Sequence, residues 1–142
     1  MTNSTSQDLT WMLDNLVEVP HVLYAVVVAT DGLVVQRSTS LAEETADVLA
    51  AGTASLHGVA AGLGRAFAGG PVNQIIVEFD GHTLFVAAAG QNARLAVLCE
   101  QDVDMGTVAY EMSRLVTRIG EYLGAAARPS ALNSHPGALH GL

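Results

Sequence analysis

The feature that most constrains the fold is an apolar, valine-rich run from His21 to Thr30. Valine and the other β-branched residues favour strands, and the run has no polar alternation, so we predict a strand buried on both faces. Asp31-Gly32 follows and leads into a second β-rich run, Leu33–Ser38. An Asp-Gly pair between two such runs is typical of a hairpin, because glycine accepts a positive φ. The chain must therefore build a sheet that is covered on both sides.

Three helices and three further strands account for the rest of the pattern. Apolar residues at three- and four-residue spacing predict the helices, and apolar runs between glycine-containing turns predict the strands. The predicted elements are helices Ser6–Glu18, Leu41–Ala68 and Val103–Ala127, and strands Asn73–Phe79, Thr83–Ala89 and Ala93–Glu100. Ser40 and Glu43 have the spacing of a capping box at the start of the second helix. The order α-β-β-α-β-β-β-α predicts an α/β (α+β) sandwich, with a five-stranded antiparallel sheet between helices.

The chain of 142 residues suits one domain. We place that domain at residues 1–128 and predict a disordered tail at 129–142, which is polar, small and proline-containing. The N-terminal residues lack a signal-peptide pattern, and no apolar run reaches the ~18 residues that span a membrane. We therefore expect a cytoplasmic protein without direct membrane insertion.

Charge and residue usage exclude several classes of function. The six basic residues are all arginines, against 14 acidic residues, for a net charge of −8. Without lysine there is no Walker P-loop and no Schiff base, and so acidic a chain is ill-suited to nucleic acid. One cysteine, Cys99, and five scattered histidines form no metal-binding motif. We predict neither an enzyme nor a bound metal or cofactor.

The second helix carries a row of small residues at every fourth position. The row comprises Ala46, Ala50, Ala54, Gly58, Gly62 and Ala66. Such a row forms a ridge that lets two helix backbones approach closely, so it predicts a contact with a second copy of the chain. The alternative is that the row packs on the domain's own sheet. Larger apolar residues, Leu49, Leu56, Leu63 and Phe67 with Val48, Val59 and Ala60 alongside, supply the predicted apolar face of the helix.

The sequence resembles the roadblock/dynein-light-chain family between Leu9 and about Leu123. The resemblance is carried by the hairpin segment Ala25–Val35, the alanine-rich second helix, Arg94–Leu98, and Asp104-Met105-Gly106 at the start of the last helix. The family shares its sandwich with profilins and longins, and the lysine-free composition is similar to actinobacterial members. The resemblance implies a homodimer that regulates or scaffolds a small Ras-like GTPase, with a sensor-kinase-like protein as a further partner.

In the family, the second helix and the third strand commonly meet their symmetry mates. The resemblance therefore places the third strand at a sheet edge, where pairing in a two-fold dimer would protect it. The predicted dimer interface consists of Ala50, Ala54, Gly58, Gly62, Ala66, Gln74, Ile76 and Glu78. An arginine finger supplied by Arg37, Arg65 or Arg94 is an alternative that the family does not imply. A small-molecule sensor and a pure protein adaptor are the alternative functions.

Overall fold

The computed structural model describes the backbone of residues 2–138 and the side chains of residues 8–124. Its elements follow the predicted order and types. They are α1 (Thr2–Val17), β1 (Val22–Ala29), β2 (Val34–Arg37), α2 (Glu43–Ala66), β3 (Gln74–Glu78), β4 (His82–Ala88), β5 (Ala93–Glu100) and α3 (Met105–Ala138). None of the helices in the described part of the chain is both long and apolar enough to cross a membrane.

The five strands form one antiparallel sheet in the order β2-β1-β5-β4-β3. β1 and β5 lie at its centre, with Val26 opposite Ala96. Alternate β1 residues point to opposite faces, Val26 and Val28 to one and Ala25 and Val27 to the other. All four are fully buried, which confirms that this strand is covered on both sides.

Helices cover both faces of the sheet, as predicted, and each face has its own core. On one side α2 packs against the sheet, and the buried residues there include Val26, Val28, Leu41, Ala46, Ala50, Leu84 and Val86. On the other side α1 and α3 pack together over a core that includes Leu13, Phe85, Leu95, Val97, Val108 and Ile119. The edge strand β3 has only β4 as a neighbour within the sheet, which confirms its predicted position.

Two helix ends differ from the sequence prediction. The predicted capping box is wrong: α2 begins at Glu43, and its N-cap is Ala42, which makes no side-chain cap hydrogen bond. Two glutamates in the first turn offset the helix dipole there instead. α3 continues to Ala138, so its backbone includes positions 129–138, where the sequence predicts a disordered tail. Residues 139–142 lie outside the described part, and the division of the chain at residue 128 stays a prediction.

Candidate functional site

The row of small residues on α2 winds from the inside of the domain to the outside. Ala46 and Ala50 are fully buried against the domain's own sheet, whereas Gly58 and Ala66 are exposed. The reason is geometric: four residues advance an α-helix by about 40° more than one turn, so five such steps rotate the row by roughly 200°. The domain thus uses the first part of the row for its own packing, and Ala50 is not accessible to a second copy.

Large apolar side chains occupy the solvent-facing side of α2. The prediction of a single apolar face on this helix is therefore wrong, since only Leu49 and Leu56 of that set pack on the core. Val48 is 73% exposed, Val59 68%, Leu63 57% and Phe67, at the end of the helix, 80%. Together they form what we call the outer α2 face. The helix carries no Asp, Glu, Lys or Arg between positions 48 and 64. An apolar strip of this kind is typical of an interaction surface.

The open edge of the sheet, formed by β3, is a second exposed surface of the domain. Leu49 and Leu56, half-buried on α2, pack on the same cluster as Ile75 and Val77 of β3. The alternate β3 residues, including Ile76 at 41% exposure, point to the other side of the sheet and are exposed. Because β3 pairs only with β4 among the described strands, half of its backbone groups are open to a further strand.

The three arginines considered as arginine fingers have different environments. Arg37 is half-buried, and its Nη1 donates to the backbone oxygen of Leu41. Arg94 is also half-buried, and its two terminal nitrogens donate to Ala93 O at 2.9 Å and to His57 Nε2 at 2.7 Å. Arg65 is exposed. Two of the three are therefore already held by their own domain, which does not favour insertion into a partner.

The structure brings together His21, Glu100 and Asp102, which no sequence motif connected. His21 Nδ1 lies 2.9 Å from Glu100 Oε1 and 3.4 Å from Asp102 Oδ1. The hydrogen bond with Glu100 and the charge of Asp102 raise the pKa of His21 above 6.5. These are metal-ligand types, with donor atoms within 4.8 Å of one another, but all three residues are exposed. We assign them the simpler role of an ion pair that links the start of β1 to the end of β5.

Cys99 is buried in the core shared by α1 and α3. Burial raises the pKa of its thiol to about 11, so the thiol is protonated at neutral pH. A protonated, inaccessible thiol is unreactive, so Cys99 serves as a small hydrophobic residue of this core.

The Roadblock/LC7 domain profile matches residues 9–99 of this sequence. The chain belongs to the Roadblock/LC7 family. A Roadblock/LC7 domain from Streptomyces avermitilis is 38% identical, with 80% of this chain and 96% of that one covered and a TM-score of 0.77. No curated protein matches the chain.

Two more distant structures confirm the fold. The gliding protein MglB from Thermus thermophilus is 16% identical, with 84% and 90% of the two chains covered and a TM-score of 0.76. Profilin IA from Acanthamoeba castellanii is 15% identical, with 82% and 96% covered and a TM-score of 0.54. The chain is accordingly a Roadblock/LC7 regulatory domain with a profilin-like sandwich.

Proposed function

We propose that this Roadblock/LC7 domain is a homodimeric regulator that binds a small Ras-like GTPase. The observation that carries the proposal is that the domain has two exposed surfaces, the outer α2 face and the open edge of β3. A monomer would leave both an apolar helix surface and an unpaired strand in water, and a two-fold dimer covers both at once. The predicted interface is kept, without Ala50, as Ala54, Gly58, Gly62, Ala66, Gln74, Ile76 and Glu78, and Val59 and Leu63 are added to it.

The glycines of α2 support a close approach by another helix. Within the monomer, a Cβ added to Gly52 or Gly58 would meet nothing within 4 Å. Each glycine costs a helix interior about 1 kcal/mol relative to alanine, and the packing of the monomer gives no reason for that cost. The α2 helix of a second copy, packed across these positions, would explain the glycines, because glycine lets two helix backbones come closer than any other residue does.

The family resemblance implies the GTPase partner. The domain would regulate this partner through binding alone. A dimer that prefers one nucleotide state of the GTPase stabilises that state, and it can shift the equilibrium only by its difference in affinity for the two states. Because Arg37 and Arg94 are held within their own domain, the proposed mechanism needs no inserted arginine. The sensor-kinase-like partner and the cytoplasmic location stay predictions from the sequence.

A pull-down from the native lysate tests the proposal. The tagged domain is incubated in parallel with GDP and with a non-hydrolysable GTP analogue, and retained proteins are identified by mass spectrometry. Retention of a small GTPase in one nucleotide state is the expected result. Equal retention in both states would favour the pure adaptor, and absence of any GTPase would contradict the proposal.

A further inference from the structure

A recess with an unusual charge lies at one end of the sheet, away from the outer α2 face. It opens between the second half of α2, the loop before β3 and the turn between β4 and β5, and its volume is about 570 Å³. Its polar lining includes His57, Arg65, Arg94, Asn73 and Gln91. We call it the basic recess, because its lining has two arginines and a histidine but no acidic residue.

The positive charge of the recess is not neutralised by the protein. The chain has 14 acidic residues against six arginines, and every acidic residue lies within positions 8–124, whose side chains are described. The ion pairs among those residues involve His21 and Arg114, and none involves Arg65 or Arg94. A protein of net charge −8 therefore leaves two of its six cations facing one concave site without a counter-ion. Such a site attracts anions.

Arg94 is held in place but is not fully satisfied. Its two terminal nitrogens donate to Ala93 O and His57 Nε2, whereas its Nε is buried with no hydrogen-bond partner. A buried donor without a partner is costly, so this guanidinium is left incompletely paired by its own domain. Burial, together with the charge of Arg94, lowers the pKa of His57, so the ring is neutral at pH 7 and accepts the bond from Arg94.

We propose that the basic recess binds a small phosphate-bearing molecule. Guanidinium groups match phosphate oxygens in charge and in planar geometry, and two of them suit the charge of a phosphate monoester, between about −1 and −2. Gly70, which has a positive φ and open space where a Cβ would lie, lines the recess and lets an anion approach the backbone.

The recess is larger than a phosphate ion and has apolar walls. Ala61, Pro71, Val72 and Ala88 line it beside the arginines. Its volume falls in the range of sites that hold organic ligands. The phosphate would bind between Arg65 and Arg94, and the organic part would lie on these walls. This site does not depend on the GTPase proposal.

Calorimetric titration with inorganic phosphate, phenyl phosphate and benzoate tests the site at constant ionic strength. We expect phenyl phosphate to bind more tightly than inorganic phosphate, because its ring covers the apolar wall. We expect benzoate to bind more weakly than phenyl phosphate, because a carboxylate carries less charge. Benzoate binding as tightly as phenyl phosphate would overturn the choice of phosphate.

Two arginine variants distinguish binding in the basic recess from non-specific attraction of anions to the protein. Arg65→Gln should weaken binding of phenyl phosphate about tenfold or more, the usual effect of losing a charged hydrogen bond. Arg118→Gln makes the same charge change on α3, outside the recess, and should alter affinity less than about twofold. Equal losses in the two variants would overturn the site.

A measurement on the unmodified protein avoids any folding defect of a variant. In NMR spectra, the ring signals of His57 and the Nε–H signal of Arg94 should shift on addition of phenyl phosphate. The signals of the exposed His21 should not. Lack of binding by the unmodified protein at millimolar phenyl phosphate, or binding that leaves the His57 signals unmoved, would also overturn the proposal.

Discussion

Replacing Leu63 by glutamine should weaken the proposed dimer strongly while changing the monomer little. Leu63 is 57% exposed in the monomer, on the outer α2 face. Full burial of a leucine side chain contributes about 1.5–3 kcal/mol, so covering the exposed part contributes roughly 1–1.5 kcal/mol. A two-fold dimer contains Leu63 twice, which doubles the effect to about 2–3 kcal/mol. The dissociation constant should therefore rise about 30- to 150-fold.

Sedimentation equilibrium over a range of protein concentrations measures this constant. The unmodified protein should have the mass of two 14.7 kDa chains. The Leu63→Gln variant should dissociate into monomers at protein concentrations at which the unmodified protein is still a dimer. Trp11→Gln is the matched control, because Trp11 is likewise an exposed apolar side chain (59%) and lies on α1, which covers the opposite face of the sheet from α2. Equal dimer constants for the two variants would refute the assignment of the outer α2 face to the interface.

Four further predictions concern stability and charge, and urea unfolding or NMR titration checks them. Ser38→Ala should cost about 1–3 kcal/mol, because the buried Ser38 Oγ accepts a 3.0 Å hydrogen bond from a β1 backbone N–H that would lose its partner. Gly64→Ala should cost about 1–3 kcal/mol, since its Cβ would lie 2.5 Å from a loop carbonyl oxygen. Gly124→Ala, with open space around it, should instead stabilise α3 by about 0.5–1 kcal/mol. Glu100→Gln should lower the raised pKa of His21 towards 6.5. In the unmodified protein, the His21–Glu100 pair stabilises the fold fully below pH 6.5, and this stabilisation is lost as the pH rises through the raised pKa of His21. The free energy of unfolding of Glu100→Gln should therefore depend much less on pH over this range.

The strands were predictable because each one carries its own signal. The run that becomes β1 is apolar at every position, so it must be buried on both faces wherever it lies in the sheet. The Asp31-Gly32 pair fixed the first hairpin, and Gly32 has the positive φ that this turn requires. The position of β3 at the edge came from the family resemblance, since no local pattern tells an edge strand from a central one.

The orientation of α2 could not be read from its sequence. Alanine, glycine and leucine occur on every side of this helix, so its apolar periodicity does not single out one buried face. The sheet selects the small side chains Ala46, Ala50 and Thr53 for burial, because they let the helix lie close to β1. The larger residues are left outside, which is why Leu63 and Phe67 are exposed.

The charged sites depend on contacts between distant parts of the chain. His21 and Glu100 are 79 positions apart, and Arg94 and His57 are 37 apart. Only the antiparallel pairing of β1 with β5 and the path of α2 over the sheet bring these residues together. Sequence spacing therefore gave no sign of either the ion pair or the basic recess.

In the proposed function, the dimer distinguishes the nucleotide states of a small GTPase. The most direct test is the ratio of two dissociation constants, measured by calorimetry with the retained GTPase loaded with GDP or with a non-hydrolysable GTP analogue. We predict a ratio of about tenfold or more, the least that shifts a two-state equilibrium substantially. Equal constants would contradict it, because a partner that binds both states equally cannot regulate the switch.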